Sequence, residues 1–139
     1  MIDRNVLTEK MAHIRRHIRR IKGRDYGGLN RFIEDLDLQD LAVFNLQMAI
    51  QFSIDIATHM IADNDWRLPS GMKDAFNVLF EEKVISETTR DTMKAMTGFR
   101  NLVIHDYAQI DFEKVYNILQ DHLDDFTVYL KEISEFAKL

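Results

Sequence analysis

Leu38-Gln39-Asp40-Leu41-Ala42-Val43-Phe44-Asn45-Leu46-Gln47-Met48-Ala49-Ile50-Gln51-Phe52-Ser53-Ile54-Asp55-Ile56-Ala57-Thr58-His59-Met60-Ile61-Ala62 decides the fold class. Leu41, Phe44, Met48, Phe52 and Ile56 recur every three to four positions and form one apolar stripe; Val43, Ile50, Ile54, Ala57 and Ile61 form a second. A helix apolar on most of its circumference has to be surrounded by other elements, so this segment is the expected central helix. A slowly turning polar row, Gln47, Gln51, Asp55 and His59, interrupts the apolar surface. It suits hydrogen bonds within a bundle or a watered face; alternatively Asp55 or His59 lies behind a functional cleft or at a subunit seam.

The same period runs outward on both sides. Leu7, Met11, Ile14, Ile18 and Ile21 predict a first helix over about residues 3–22. Gly23 to Gly28 break it, and the segment as far as Leu36 reads as a loop with at most one short turn around Arg31-Phe32-Ile33, a candidate mobile or partner-contacting element. After Pro69, with Ser70 as the candidate N-cap, Met72, Ala75, Phe76, Leu79 and Phe80 predict a short helix to about Lys83. Ser86 is placed to cap a fourth helix carrying Met93, Met96, Phe99 and Val103 inward. Met72, Met93 and Met96 suit gap-filling in a core. Asp111 is placed to cap a fifth, in which Phe112, Val115, Leu119, Leu123, Phe126, Leu130, Ile133 and Ala137 hold a three/four spacing for roughly seven turns. With one proline and five glycines in 139 residues, little punctuates a sheet. The expectation is an all-α antiparallel bundle of about five helices, forming a single domain over residues 1–139.

Composition narrows the function classes. There is no cysteine, hence no disulfide framework and no thiolate metal site, which fits a reducing compartment. The N-terminus lacks the apolar run of a signal peptide and no stretch approaches the ~20 apolar residues of a membrane span, so a cytoplasmic protein is expected. A formal charge of −5 argues against a broadly basic nucleic-acid coat and leaves room only for a local basic cleft. Arg15, Arg16, Arg19, Arg20, Lys22 and Arg24 crowd the end of the first helix, either as a solvated face with cations favoured at a helix C-terminus or as a rim for RNA phosphates. His13 and His17 have the spacing of a metal pair, but nothing nearby supplies a third ligand. No glycine-rich phosphate loop or hydrolase signature is present, so no metal and no cofactor is expected.

Where the fourth helix ends, Arg100-Asn101-Leu102-Val103-Ile104-His105-Asp106-Tyr107 replaces apolar periodicity with an always-charged fork, a proton carrier and a phenol. Arg100 matches a phosphate's oxygens, and His105 titrates near neutrality. Tyr107 could bond a phosphate oxygen, orient the imidazole or accept a transferred group. Asn101 and Asp106 are further candidates. This set suits RNA cleavage without metal, with His105 handling the proton of the ribose 2′-hydroxyl or of the leaving oxygen, and Arg100 stabilising developing charge. A structural alternative pairs Arg100 with a nearby acid and leaves His105 at the helix end. On a straight helix five residues separate Arg100 and His105 by about 140°. Either the helix ends near His105, or a second copy of the motif completes the site across a two-fold.

Arg, four residues, His, one residue, Tyr at the end of a late helix in a small helical chain resembles the signature of the HEPN superfamily, and within it the HepT toxins of HepT–MntA pairs. Asn45-Leu46-Gln47 with Ile54-Asp55-Ile56-Ala57 and His59 resembles that group's second helix. His122-Leu123 and Asp125-Phe126 resemble its last. The resemblance implies a homodimer whose two motifs share a cleft, acting as a metal-independent endoribonuclease, the toxin of a type VII toxin–antitoxin pair. It also implies an MntA-like nucleotidyltransferase antitoxin that neutralises the toxin by transferring AMP to Tyr107. The alternative from a different class is a non-catalytic helical module that binds, and is modified by, such a partner.

Overall fold

In the computed structural model, which describes residues 2–139, the chain is helical throughout, with seven α-helices, one 3-10 turn and no strand among the described residues. The elements are α1 (Arg4–Lys22), α2 (Leu29–Glu34), α3 (Leu36–Asp63), α4 (Met72–Glu81), α5 (Glu87–His105), the 3-10 turn Tyr107–Gln109, α6 (Phe112–Asp121) and α7 (Leu123–Ala137).

The central helix is α3, with α1, α4 and α5 packed around it. Its second stripe, Val43, Ile50, Ile54, Ala57 and Ile61, is wholly buried. The first stripe is covered only at Ile56; Phe44 remains 52% exposed, and Leu41, Met48 and Phe52 are half-buried. By length and hydropathy α3 is a membrane-length helix, 28 residues with a mean hydropathy of 1.3 over its most apolar window, contrary to the sequence expectation. Its apolarity is that of a core helix, since 56% of that window is buried against the rest of the chain.

Two start signals act as read: Ser86 accepts from the Thr89 amide and Asp111 from that of Glu113. At α1 the structure adds a third cap that the sequence reading had not singled out, Asp3 accepting from the Val6 amide, and each supplies an oxygen to an otherwise orphaned N–H. At α4 the cap is Gly71 rather than Ser70. The Asp74 carboxylate explains the shift, because it reaches back to accept from both the amide and the hydroxyl of Ser70. Arg67 clamps that carboxylate and Glu81, so the Ser70 hydroxyl donates and is not available as an acceptor for the helix. Met72 is 36% exposed and fills no core gap, unlike Met93 and Met96.

The expected seven-turn final helix is two helices hinged at His122. The apolar spacing runs through the hinge unbroken, and for that reason could not reveal it. The two halves pack on different neighbours: α6 lies against α2 and α3, while α7 lies against α5 and α1. The His122 Nδ1 and Asp125 Oδ2 lie 3.0 Å apart at the hinge. The expected loop after Gly28 also contains a helix, the six-residue α2. Too short to be stable alone, α2 is held by Phe32, which is fully buried against Tyr26, Phe112 and Tyr116. Gln39 ties it further by donating to the Phe32 and Ile33 carbonyls. Phe32→Ala is expected to cost about 3–5 kcal/mol in urea unfolding; a loss under about 1 kcal/mol, the size of an ordinary surface change, contradicts this anchoring.

Candidate functional site

The motif sits where α5 stops and the chain turns back toward α3. The helix remains α through His105, its last residue, and Asp106 closes it by donating its amide to the Leu102 carbonyl at 2.9 Å. Arg100 and His105 therefore keep their angular separation of about 140°. Tyr107 leaves the helix and opens the 3-10 turn.

Arg100 is half-buried and points to the middle of α3. Its Nε donates to Gln51 Oε1 at 3.0 Å and its Nη1 to Asn101 Oδ1 at 3.1 Å. Behind it, Gln51 Nε2 donates to Asp55 Oδ1 at 2.9 Å, and the other Asp55 oxygen lies 3.9 Å from Lys10 Nζ on α1. Among the described residues no carboxylate lies within ion-pair distance of Arg100. The structural alternative in which an acid neutralises Arg100 is thus absent. Two members of the polar row, Gln51 and Asp55, stand behind the motif, whereas His59 pairs with Asp63 at 3.7 Å, away from it.

His105 and Asp106 are exposed. Tyr107 is 45% exposed, and its hydroxyl donates to Asp40 Oδ1 near the start of α3 at 3.2 Å. Partial burial pushes the phenol above its ordinary pKa, and the Asp40 carboxylate adds to this by disfavouring a second negative charge beside it. Asp40 carried no sequence signal, being one acid among many near a helix start. Gln51 was visible only as a member of a row four residues apart.

Gln51 and Asp40 are eleven positions apart on α3, about 16 Å along the axis. Arg100 and Tyr107 of one chain thus attach at well-separated points, and among the described residues no hydrogen bond joins Arg100, His105 and Tyr107. Beside Asp40, one turn along α3, the exposed Phe44 lines a groove of about 480 Å³ with Leu41, Asn45, Arg20, Gly23 and Arg24. The basic end of α1 therefore flanks the Tyr107 end of the site. His13 and His17 face inward to other partners: the His13 ring stacks on Phe52 at 4.7 Å, and His17 Nδ1 is 2.8 Å from Asn45 Oδ1.

Residues 14–133 match the ribonuclease HepT-like family, and the chain belongs to that family. It is 33% identical over 129 residues to the mRNA nuclease HepT of Shewanella oneidensis, a match covering 93% of this chain and 96% of that protein. It is 22% identical over 139 residues to the tRNA nuclease HepT of Aphanizomenon flos-aquae, covering 97% and 92%. The fold matches a tri-AMPylated Shewanella oneidensis HEPN toxin in complex with MNT antitoxin, with a TM-score of 0.88 and 32% identity over 96% of this chain and 99% of that one. A toxin–antitoxin crystal structure with AMP-PNP matches equally, with a TM-score of 0.88 and 32% identity over 94% and 98%.

Tyr107 ionisation, isolated as the difference between the native protein and Tyr107→Phe in an ultraviolet absorbance titration, is expected above the ordinary phenol range. In Asp40→Asn it should fall, because the carboxylate's charge is gone while the burial remains. An unchanged midpoint contradicts the Asp40 contact.

Proposed function

We propose that this chain is the toxin of a toxin–antitoxin pair, an endoribonuclease that needs no metal and is silenced by AMP transfer to Tyr107 from an MntA-like nucleotidyltransferase. The observation that carries the reading is the state of Arg100. Uncharged amide oxygens hold its guanidinium in place, so its full charge remains available to a phosphate. The names and assemblies of the HepT relatives support the same reading.

In this mechanism the ribose 2′-hydroxyl attacks the adjacent phosphorus, the P–O5′ bond breaks, and a 2′,3′-cyclic phosphate forms. His105 acts as general acid or base on the proton of the attacking or leaving oxygen. Arg100 anchors the phosphate and stabilises its developing charge. Tyr107 assists as a hydroxyl, with Asn101 supporting Arg100, and Asp106 held at the turn that presents His105. Single-stranded RNA would run toward the basic end of α1.

The active form is a homodimer. Two observations favour it: the wide attachment of Arg100 and Tyr107 along α3, which one chain does not close into a single cluster, and the half-exposed apolar strip Leu41, Phe44, Met48 and Phe52 beside the motif. A two-fold would cover that strip and bring two motifs to one cleft. We place the pair in the cytoplasm, where RNA and ATP are available, and assign the chain one domain and no cofactor. The exposed position of Tyr107 also suits the alternative, a non-catalytic module whose role is to bind and be modified.

Cleavage of total cellular RNA in EDTA separates the two. The native protein is expected to cut, and His105→Ala to be slower by about 10²–10⁴-fold while remaining folded. Native activity that survives His105→Ala refutes the assignment, and an inactive native protein favours the module. Incubation with the nucleotidyltransferase and ATP should add AMP-sized mass to the native chain and none to Tyr107→Phe. Equal mass gain in both would move the modification to another residue.

A further inference from the structure

We propose that Gln51 and Asp55 are positioning residues for Arg100: a neutral amide holds the guanidinium in place, and Asp55 fixes which end of that amide faces it. The proposal rests on the reading of Arg100 as a phosphate anchor.

A glutamine amide can turn either its oxygen or its nitrogen toward a neighbour. Here the choice is forced from both sides. The guanidinium can only donate and an ionised carboxylate can only accept, so an amide between them satisfies both in one orientation. That is the observed one, with Oε1 on Arg100 Nε at 3.0 Å and Nε2 on Asp55 Oδ1 at 2.9 Å. The far Asp55 oxygen faces Lys10 Nζ at 3.9 Å, which sets a cation against the acid's charge. One chain of contacts thus runs from α1 through α3 to the end of α5. With the Nε–H taken by Gln51 and one Nη1–H by Asn101, the second Nη1–H and both Nη2–H donors are left for a ligand.

The residue type matters as much as the contact. A glutamate at 51 could reach Arg100 equally well, but it would form a charge-assisted pair with which any phosphate must compete. Glutamine supplies the hold without the competing charge. Asp55, the real acid, stands one side chain further back.

Three variants test this. Gln51→Met removes the acceptor at similar size, Gln51→Glu keeps an acceptor and adds charge, and Asp55→Asn frees the amide to turn. In the native background Gln51→Met is expected to lower kcat by about 10- to 100-fold, the scale of a misplaced positioning group, with Asp55→Asn intermediate. In the non-cleaving His105→Ala background, Gln51→Glu is expected to weaken single-stranded RNA binding and to reduce the slope of log K against log salt by about 0.7, one phosphate contact. An NMR spectrum of the arginine Nε–H groups reports the tether without RNA. The Arg100 resonance, assigned by its loss in Arg100→Lys, should shift or broaden in Gln51→Met and persist in Gln51→Glu.

If the native protein cuts RNA while all three variants match it, the proposal is overturned and the phosphate-anchor reading survives. An unmoved Arg100 resonance in Gln51→Met overturns the tether whatever the kinetics. If the native protein neither binds nor cuts RNA, the anchor reading fails and takes the positioning role with it. Should Gln51→Met fail to fold, Gln51→Glu decides, and its salt slope equal to that of the His105→Ala parent counts against the proposal.

Discussion

Burying α3 on most of its circumference is the constraint from which the rest of the arrangement follows. A 28-residue helix this apolar cannot stay in water alone, and α1, α4 and α5 cover it. They do not cover it completely. The strip left half-exposed holds Phe44, Met48 and Phe52 together with Gln51 and Asp55. The end of α5 docks beside this strip, so Arg100 meets a polar partner on a helix otherwise committed to the core. Bundle packing and the candidate chemistry therefore share one surface of α3.

On that shared surface the motif groups of one chain attach far apart. Gln51 receives Arg100 near the middle of α3, and Asp40 receives Tyr107 near its start, while His105 projects exposed from the last helical position. The termination of α5 releases Tyr107 from the helical spacing but leaves Arg100 and His105 on opposite-leaning faces. A second copy seated on the exposed strip would answer both features at once, covering apolar surface and bringing complementary groups into reach. The arginines at the end of α1, Arg20 and Arg24 among them, would then border the cleft, where a polyanion gains most from them.

Much of this was legible in the sequence because burial leaves a periodic trace. The inward faces of α1 and α5, the caps at Ser86 and Asp111, and the buried stripe of α3 from Val43 to Ile61 follow from residue spacing and cap chemistry. What escaped were features that leave that trace intact. The His122 hinge keeps the three/four spacing on both sides, and α2 depends on one aromatic, Phe32, finding a pocket made by distant residues. The Ser70 cap was lost to Asp74, four residues on, which claimed the serine hydroxyl. At the site, the motif announced itself by breaking the apolar pattern, whereas Asp40 and Gln51 are ordinary helix-surface residues until the tertiary fold brings α5 against them.

The most direct test of a site assembled from two chains is subunit mixing. Arg100→Ala and His105→Ala chains, each carrying a different affinity tag, are co-expressed, the mixed dimer is isolated through both tags, and RNA cleavage is compared with that of each parent homodimer. A site shared across the two-fold is expected to recover cleavage in the mixed dimer, because an intact Arg100 from one chain then meets an intact His105 from the other. A mixed dimer as inactive as its two parents would mean that each chain uses its own Arg100 and His105, and would contradict the shared cleft.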